Sequence, residues 1–444
     1  MYSLMCPYMV KNHTYSKKTQ NKILIILISI FCIGYAAIIF ENIIGINKSA
    51  TAILTGVLSW SVYSFYISPN PEHTSEQLNH HISEIAGIVF FLLGAMTIVE
   101  IIDVHEGFDI ITENIKTRRK IILLWLIGIL TFFLSPLLDN LTTTIVMVSI
   151  LQKIIPDKKD RWLLTGIVII AANAGGAWSP IGDVTTSMLW IGEQISATAI
   201  VKNIFLPSFI CMLVPLVGLS FQMKGHFELK KNEKVFIRNT TRSERNFIFF
   251  MGIFGLLCVP IFKTLTHLPP FMGMLMSLSV IWLITEIIHR GKTDVDKEQL
   301  SVLNALRKID MPSILFFVGI LLSVAALSSS GVLMSLANSL TGFIKNDRII
   351  VFAAGIFSAI VDNVPLVAAF QGMYTLQQFP TDHPFWLFLA YTTGTGGSLL
   401  IIGSAAGVVA MGMENISFGW YLKKIGIWAL LGFLCGGLVS YLLF

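Results

Sequence analysis

Asn173-Ala174-Gly175-Gly176-Ala177-Trp178-Ser179-Pro180-Ile181-Gly182-Asp183-Val184-Thr185-Thr186 lies inside an otherwise apolar stretch, residues 162–191. Gly, Gly, Ser, Pro, Gly and Asp within the nine residues 175–183 cannot continue a regular helix. Unwound backbone at membrane depth is tolerated only where protein buries it or where it lines a cavity. The alternative is a surface loop between two short spans, but neither flank alone supplies the ~20 apolar residues of a crossing. The segment reads as a helix broken inside a membrane.

Working outward, the same pattern recurs. Gly394-Thr395-Gly396-Gly397-Ser398-Leu399-Leu400-Ile401-Ile402-Gly403-Ser404 repeats Gly175-Gly176 and Ile181-Gly182 at an offset of 221, with Ser404 where the first copy has Asp183. Upstream, Ser135-Pro136-Leu137-Leu138-Asp139-Asn140-Leu141-Thr142-Thr143-Thr144 matches Ser358-Ala359-Ile360-Val361-Asp362-Asn363-Val364-Pro365 at 223, and Phe90-Phe91 matches Phe316-Phe317 at 226. Landmarks in one order at nearly one offset describe an internal duplication. Each Asp-Asn pair interrupts an apolar stretch, residues 121–155 and 349–371, and each stretch reads as a span or a re-entrant hairpin. If they are hairpins, each half has five crossings, and an odd number inverts the second copy. Inverted repeats with broken helices meeting near the midplane are an architecture of secondary transporters.

Composition agrees. Of 444 residues 54% are hydrophobic and 13% charged, against roughly a quarter charged in soluble domains, which excludes a soluble globular protein. Ten spans are expected near residues 23–40, 50–67, 84–102, 162–191, 200–221, 247–262, 271–288, 313–328, 385–411 and 425–444. The expectation is an all-α polytopic membrane protein of two inverted repeats of about five transmembrane helices, each with a re-entrant hairpin and a broken helix. A tail (1–22), a first repeat (23–221), a polar connecting loop (222–246) and a second repeat (247–444) follow. The net charge of +5 comes from Lys and Arg in short loops, which places Lys116, Arg118, Arg119, Lys120, Lys158, Lys159, Arg161, Lys230, Lys231, Arg238, Arg242, Arg290, Lys292, Arg307, Lys308, Lys423 and Lys424 on the cytoplasmic side and the N-terminal tail, with four lysines, outside against the same rule. No nucleic-acid, nucleotide or cofactor motif is present, and Cys6, Cys32, Cys211, Cys258 and Cys435 have no metal-site spacing. No His cluster or nucleophile–base pair supports an enzyme.

Intramembrane aspartates point to function. Asp139 and Asn140 either cap the helix that follows or, with Thr142, Thr143 and carbonyls freed by Pro136, offer hard oxygen ligands for a cation. Asn173, Ser179, Asp183 and Thr185 in the first break, Asp362 and Asn363, and Thr395, Ser398 and Ser404 in the second break extend the set. Gly175, Gly176, Gly182, Gly396, Gly397 and Gly403 mark the breaks. No Lys or Arg occurs between Lys120 and Lys153, Arg161 and Lys202, or Arg348 and Lys423. A buried carboxylate lacking a basic partner binds a proton or a cation, and competition between the two is the minimal physics of exchange. An anion would want Arg or Lys. Glu100, Asp103, His105 and Glu106 read as solvated charges of an interfacial segment, residues 104–115, in preference to a proton-access role.

These motifs resemble the NhaD-type sodium/proton antiporters of the ion transporter superfamily, through residues 135–144, 173–190, 361–364 and 394–407, over the chain from about Ile85 onward. The resemblance implies a homodimer in lipid, in a bacterial inner membrane, with a scaffold part and a mobile part moving in an elevator-like way. It implies hairpin tips at Asp139 and Asp362 and unwound points at 175–183 and 396–404. It also implies Na+ (or Li+) and H+ as transported ions, serving pH and sodium homeostasis. On this reading Asp139, Asn140, Thr142 and Asp183 bind sodium from one side, and Asp362, Asn363 and Ser404 complete or mirror the site. The superfamily's tips carry a Ser/Thr-Asn-Thr signature. The tips here read Asp-Asn-Leu-Thr and Asp-Asn-Val-Pro, so the second lacks the Thr. The alternative is an anion carrier of the same superfamily, for dicarboxylate, sulfate or arsenite.

Overall fold

The computed structural model describes residues 17–67, 71–115, 117–223, 225–227 and 240–443. Most of the expected tail and of the connecting loop, with Lys116, Lys230, Lys231 and Arg238 of the basic-loop set, lies outside the described residues. Those residues are helical, and their only strand-like pairing is an isolated bridge between Arg119 and His226. Among them nine helices are long and apolar enough to cross a membrane. Eight coincide with expected spans. The two remaining expected spans are interrupted helices, and the ninth crossing-length helix is the first leg of the first hairpin, Lys120–Leu138.

Both Asp-Asn interruptions and both breaks form, each for a local reason. Lys120–Leu138 carries Pro136 and stops at Asp139, which sits at φ 66°, ψ 164°, a region that only glycine enters freely. Asn140–Ile154 returns. In the second half Asp347–Phe357 and Asn363–Met373 flank the interruption, and Pro365 falls in the first turn of the second of these helices, where its missing N–H breaks no helical bond. The interrupted helices are Lys158–Ala177 with Val184–Ile191 and Pro384–Gly396 with Ala405–Glu414.

The duplication in sequence is also a duplication of contacts. A Cβ on Gly175 would meet the Phe132 carbonyl, and one on Gly396 would meet the Gly355 carbonyl; Gly182 packs on Pro136 as Gly403 packs on Ala359. Ser135 Oγ donates to the Ala172 carbonyl at 2.5 Å and Ser358 Oγ to the Thr393 carbonyl at 2.9 Å. Every pair is related by the offsets 223 and 221 read in the sequence. Each hairpin is therefore locked to the interrupted helix of its own half by backbone-to-glycine contact, a packing mode that membrane interiors favour.

The long helices interlock between halves. Lys48–Val62 packs on Met311–Ser329, with Gly56 against the Gly319 carbonyl and Trp60 Nε1 donating to the Leu322 carbonyl at 3.0 Å. Pro71–Val104 packs on Pro270–Ile288, and Ala197–Ser220 on Ile427–Leu443. Pro71–Val104 starts 13 residues before the expected span at residue 84, because Glu72, Glu76 and Gln77 are good helix formers although too polar for an apolar window. Trp60 and Trp190 are buried and pack within the protein.

Gly175→Ala and Gly396→Ala are expected to destabilise the protein by about 1–3 kcal/mol or more by overpacking, whereas Gly342→Ala, with open space around it, should be neutral or slightly stabilising. Thermal unfolding of the detergent-purified variants checks this.

Candidate ion-binding site

At each of the four interruptions a side chain caps the helix that follows. Asp139 accepts the Thr142 N–H on Oδ1 at 2.8 Å and the Thr142 hydroxyl on Oδ2 at 2.9 Å. Asp183 accepts the Thr185 N–H at 3.4 Å and, on Oδ2, the Thr185 hydroxyl at 2.8 Å. Asp362 accepts the Val364 N–H at 3.4 Å, and Ser404 Oγ the Gly407 N–H at 3.2 Å. The capping alternative is thus realised together with convergence. Asp139, Asn140, Asp183, Asp362 and Asn363 all line one cavity of about 40 Å³, room for a few water-sized species. A carboxylate offers about four lone-pair sites, so capping does not exhaust its oxygens.

The halves are stitched together through amides. Asn140 Nδ2 donates to Asn173 Oδ1 at 3.0 Å, and Asn173 Nδ2 lies 2.9 Å from both Ser398 Oγ and Ser404 Oγ. Asn363 Nδ2 donates to Asp183 Oδ2 at 3.2 Å. Asn173, Asp183, Ser398 and Ser404 are buried, while Asp139, Thr142 and Asp362 are half-buried.

Three expected side chains point elsewhere. Ser179 Oγ donates to the Pro136 carbonyl at 2.8 Å, and Thr395 Oγ1 bonds back to the Tyr391 carbonyl at 2.6 Å. The Thr143 hydroxyl is buried with no hydrogen-bond partner, and none of the three lines the cavity, nor do Thr142, Asn173, Thr185, Ser398 and Ser404. Two groups were missed. Lys48, at the start of Lys48–Val62, lines the cavity and holds its ammonium 4.6 Å over the Phe316 ring, and Tyr35 lies close to Asp362. The lack of basic residues holds for the hairpin and broken-helix segments, but an N-terminal helix brings one in. No motif marks Lys48; only its place at the start of an apolar helix hints at a membrane-facing charge.

Pro71–Val104 orders the cavities along one axis. Its Ile85 and Ile88 line a cavity of about 330 Å³ with Glu84, Gln194 and Gln371. One or two turns on, Leu92 and Met96 line the central cavity. Met96, Glu100 and Asp103 then line a third of about 400 Å³, where Glu100, Asp103, Glu106, Asp109 and Asp310 face Lys153 and Lys308, and which reaches Thr142. Glu100 and Asp103 are therefore vestibule groups, contrary to the expected interfacial face. His105 is fully buried, and burial pushes its imidazole down to about 4, so it is neutral at ordinary pH. The central cavity shares Met96 and Leu141 with the third cavity and no residue with the first, and in the wall of the first cavity Gln371 Nε2 donates to the Met188 carbonyl at 3.1 Å and to Gln194 Oε1 at 2.8 Å.

Comparison with known proteins follows this geometry. The family model described as citrate transporter matches residues 35–394. Sodium/proton antiporter 2 of Arabidopsis thaliana is 48% identical over 415 residues, covering 93% of this chain and 98% of that protein. Sodium/proton antiporter 1 of the same plant is 47% identical, covering 97% and 74%. The Na(+)/H(+) antiporter NhaD of Vibrio cholerae is 30% identical, covering 87% and 84%. Similarity extends well before Ile85, in keeping with the part that Tyr35 and Lys48 take at the cavity.

Asn173→Ala would leave Asn140, Ser398 and Ser404 short of a partner in a buried network. Its expected cost is about 1–3 kcal/mol, read as a lowered unfolding temperature, whereas Thr395→Val, which removes only a bond within its own helix, should move it far less.

Proposed function

The chain belongs to the citrate transporter family and, within it, to the NhaD-type sodium/proton antiporters, and from that premise we propose that it exchanges Na+, or Li+, for H+ as a secondary active transporter. It is a transporter and not an enzyme. The observation that carries the cation reading is the central cavity: three carboxylates, Asp139, Asp183 and Asp362, against one ammonium, Lys48.

Sodium is a hard cation and takes oxygen ligands. Asp139, Asn140, Thr142 and Asp183 supply them from the first half, and Asp362, Asn363 and Ser404 support them from the second. A proton and a sodium ion compete for the same carboxylate: deprotonation admits sodium, and reprotonation at the other face expels it. Asp139 is pre-set for this by its backbone, since a strained conformation held by two Thr142 bonds fixes where its oxygens point.

Alternating access is read from the cavities. The acidic vestibule adjoins the centre through Met96 and Leu141 on the side of Lys308, the cytoplasmic side by the loop bias. The cavity on the Glu84 side shares no residue with the centre. In the proposed cycle the hairpins and interrupted helices move together against the interlocked long helices, in an elevator-like way, between inverted halves and within a homodimer in lipid. Relatives named sodium/proton antiporters come from a plant and from bacteria, so we tie the exchange to this fold and not to one kind of membrane.

A sodium-coupled carrier of dicarboxylate, sulfate or arsenite is the second reading, favoured by Lys48 and by the family's description. One ammonium against three carboxylates leaves the cavity anionic, which disfavours an anion in it.

In everted vesicles, sodium should relieve an imposed pH gradient, and Asp139→Asn, Asp183→Asn and Asp362→Asn should each abolish the response while still inserting. Sodium-stimulated dicarboxylate uptake with no sodium-driven pH change would replace antiport by the anion reading. Asp103→Asn should raise the sodium concentration for half-maximal response several-fold at low ionic strength and much less at high, because a vestibule charge acts through a screened field.

A further inference from the structure

We infer a second cation site, for a zinc-type divalent ion, formed by His105, His289 and Glu244 on the side of the vestibule and separate from the transport cavity. The three come from three elements. His105 follows the end of Pro71–Val104, Glu244 lies in the first turn of Arg242–Thr266, and His289 follows Pro270–Ile288. Their packing brings together histidines 184 positions apart. All three side chains are more than nine-tenths buried.

The donor atoms already face one another. His105 Nε2 and His289 Nε2 are 2.9 Å apart, His289 Nε2 is 3.7 Å from Glu244 Oε1, and all three atoms lie within 4.8 Å of one another. A tetrahedral ion with bonds of about 2.0–2.2 Å holds its ligand atoms about 3.3 Å apart. The nitrogens would part by a few tenths of an ångström and the carboxylate would come in by about 1 Å. Two imidazoles and one carboxylate form a donor set that suits zinc.

The surrounding groups are those a bound ion needs. His105 Nδ1 lies 2.7 Å from the Ile101 carbonyl, so Nδ1 carries the proton and Nε2 presents its lone pair to His289. A backbone carbonyl on the far nitrogen is a usual outer partner of a metal-bound imidazole. Lys292 Nζ is 2.7 Å from Glu244 Oε1 and 2.8 Å from Oε2. Oε1 is buried and takes no well-formed hydrogen bond, so Lys292 can keep Oε2 while Oε1 turns to the ion. In the absence of metal the Nε2 proton of His289 fills the gap between the rings. On binding, that proton moves to His289 Nδ1, and the ion takes its place as a clamp across three helix ends.

The alternative for this cluster is a plain histidine–histidine hydrogen bond. Tag-free, chelator-stripped protein in detergent is loaded with Zn2+ and desalted, and a parallel sample is titrated with Co2+. We expect about one zinc retained per chain, visible Co2+ bands of tetrahedral intensity, and a higher unfolding temperature with zinc. His289→Gln and Glu244→Gln should each weaken retention at least ~100-fold and lose the temperature shift, with monodispersity and sodium/proton exchange confirming that they fold. The double variant His80→Gln/His81→Gln, which removes the more exposed histidine pair, should retain zinc like the wild type. No zinc on the wild-type protein, equal retention by both single variants, or loss in the His80/His81 variant would overturn the assignment. Neither transport reading bears on this outcome, because retention and unfolding are measured without a gradient.

Discussion

Backbone cut free at membrane depth must be satisfied without water, and the whole arrangement depends on that constraint. Four chain interruptions, at 139, 178–183, 358–362 and 397–404, expose helix ends whose carbonyls and amides have no partners within their own helices. Lipid cannot supply partners, so the interruptions must meet one another. They do so by placing a capping carboxylate or hydroxyl at the start of each returning helix and a glycine or proline where the chains touch. The polar centre is thus the solution to a hydrogen-bonding problem before it is a binding site. Its carboxylates also sit at the positive ends of helix dipoles, which lowers the penalty of burying their charge.

On the proposed reading, the same constraint would separate moving from fixed parts. Within a half, hairpin and interrupted helix are joined by backbone contacts at Gly175, Gly182, Gly396 and Gly403 and by Ser135 and Ser358, none of which can stretch. Between halves, the centre is held by side-chain amides and hydroxyls. At its edge the Arg161 Nε sits 3.1 Å from both oxygens of the buried Glu414, tying the start of the first interrupted helix to the end of the second. A pair so buried resists being pulled apart. The unit made of both hairpins and both interrupted helices is therefore well suited to travel as one body against the long helices, which interlock through Gly56, Gly319 and Trp60.

Much of this was legible in the sequence because helix breakers in apolar runs have few explanations. Gly-Gly-x-x-Ser-Pro-x-Gly-Asp cannot be a continuous span, and its recurrence fixed the pairing of halves before any contact was known. Hydroxyl directions were not legible: Thr395 bonds back to its own helix and Ser179 to the neighbouring hairpin, and composition does not distinguish such bonds from ligation. Lys48, Tyr35 and the pair His105–His289 were hidden for a different reason. They reach their partners across more than a hundred positions, through packing of helices whose faces show little periodicity when both protein and lipid are apolar. The charges after Val99 misled because polarity next to a span reads as interface, whereas a vestibule has the same composition.

The halves agree in backbone and differ in chemistry, and the difference bears on how many ions a cycle moves. At equivalent positions Asp183 faces Ser404, Asn173 faces Gly394 and Thr142 faces Pro365. A protein with two equivalent sites would keep the oxygen donors in both copies. Here the second half keeps Asp362 and Asn363 but loses the counterparts of Asp183, Asn173 and Thr142, while its Ser398 and Ser404 bond to Asn173, and its Asn363 bonds to Asp183. Those bonds run from one half to the other, so the second copy completes the first instead of repeating it. On the proposed reading this favours a single composite sodium site. Asp183 is its most enclosed carboxylate, and Asp139, half-buried and nearest the vestibule through Thr142, is the one best placed to exchange a proton with water.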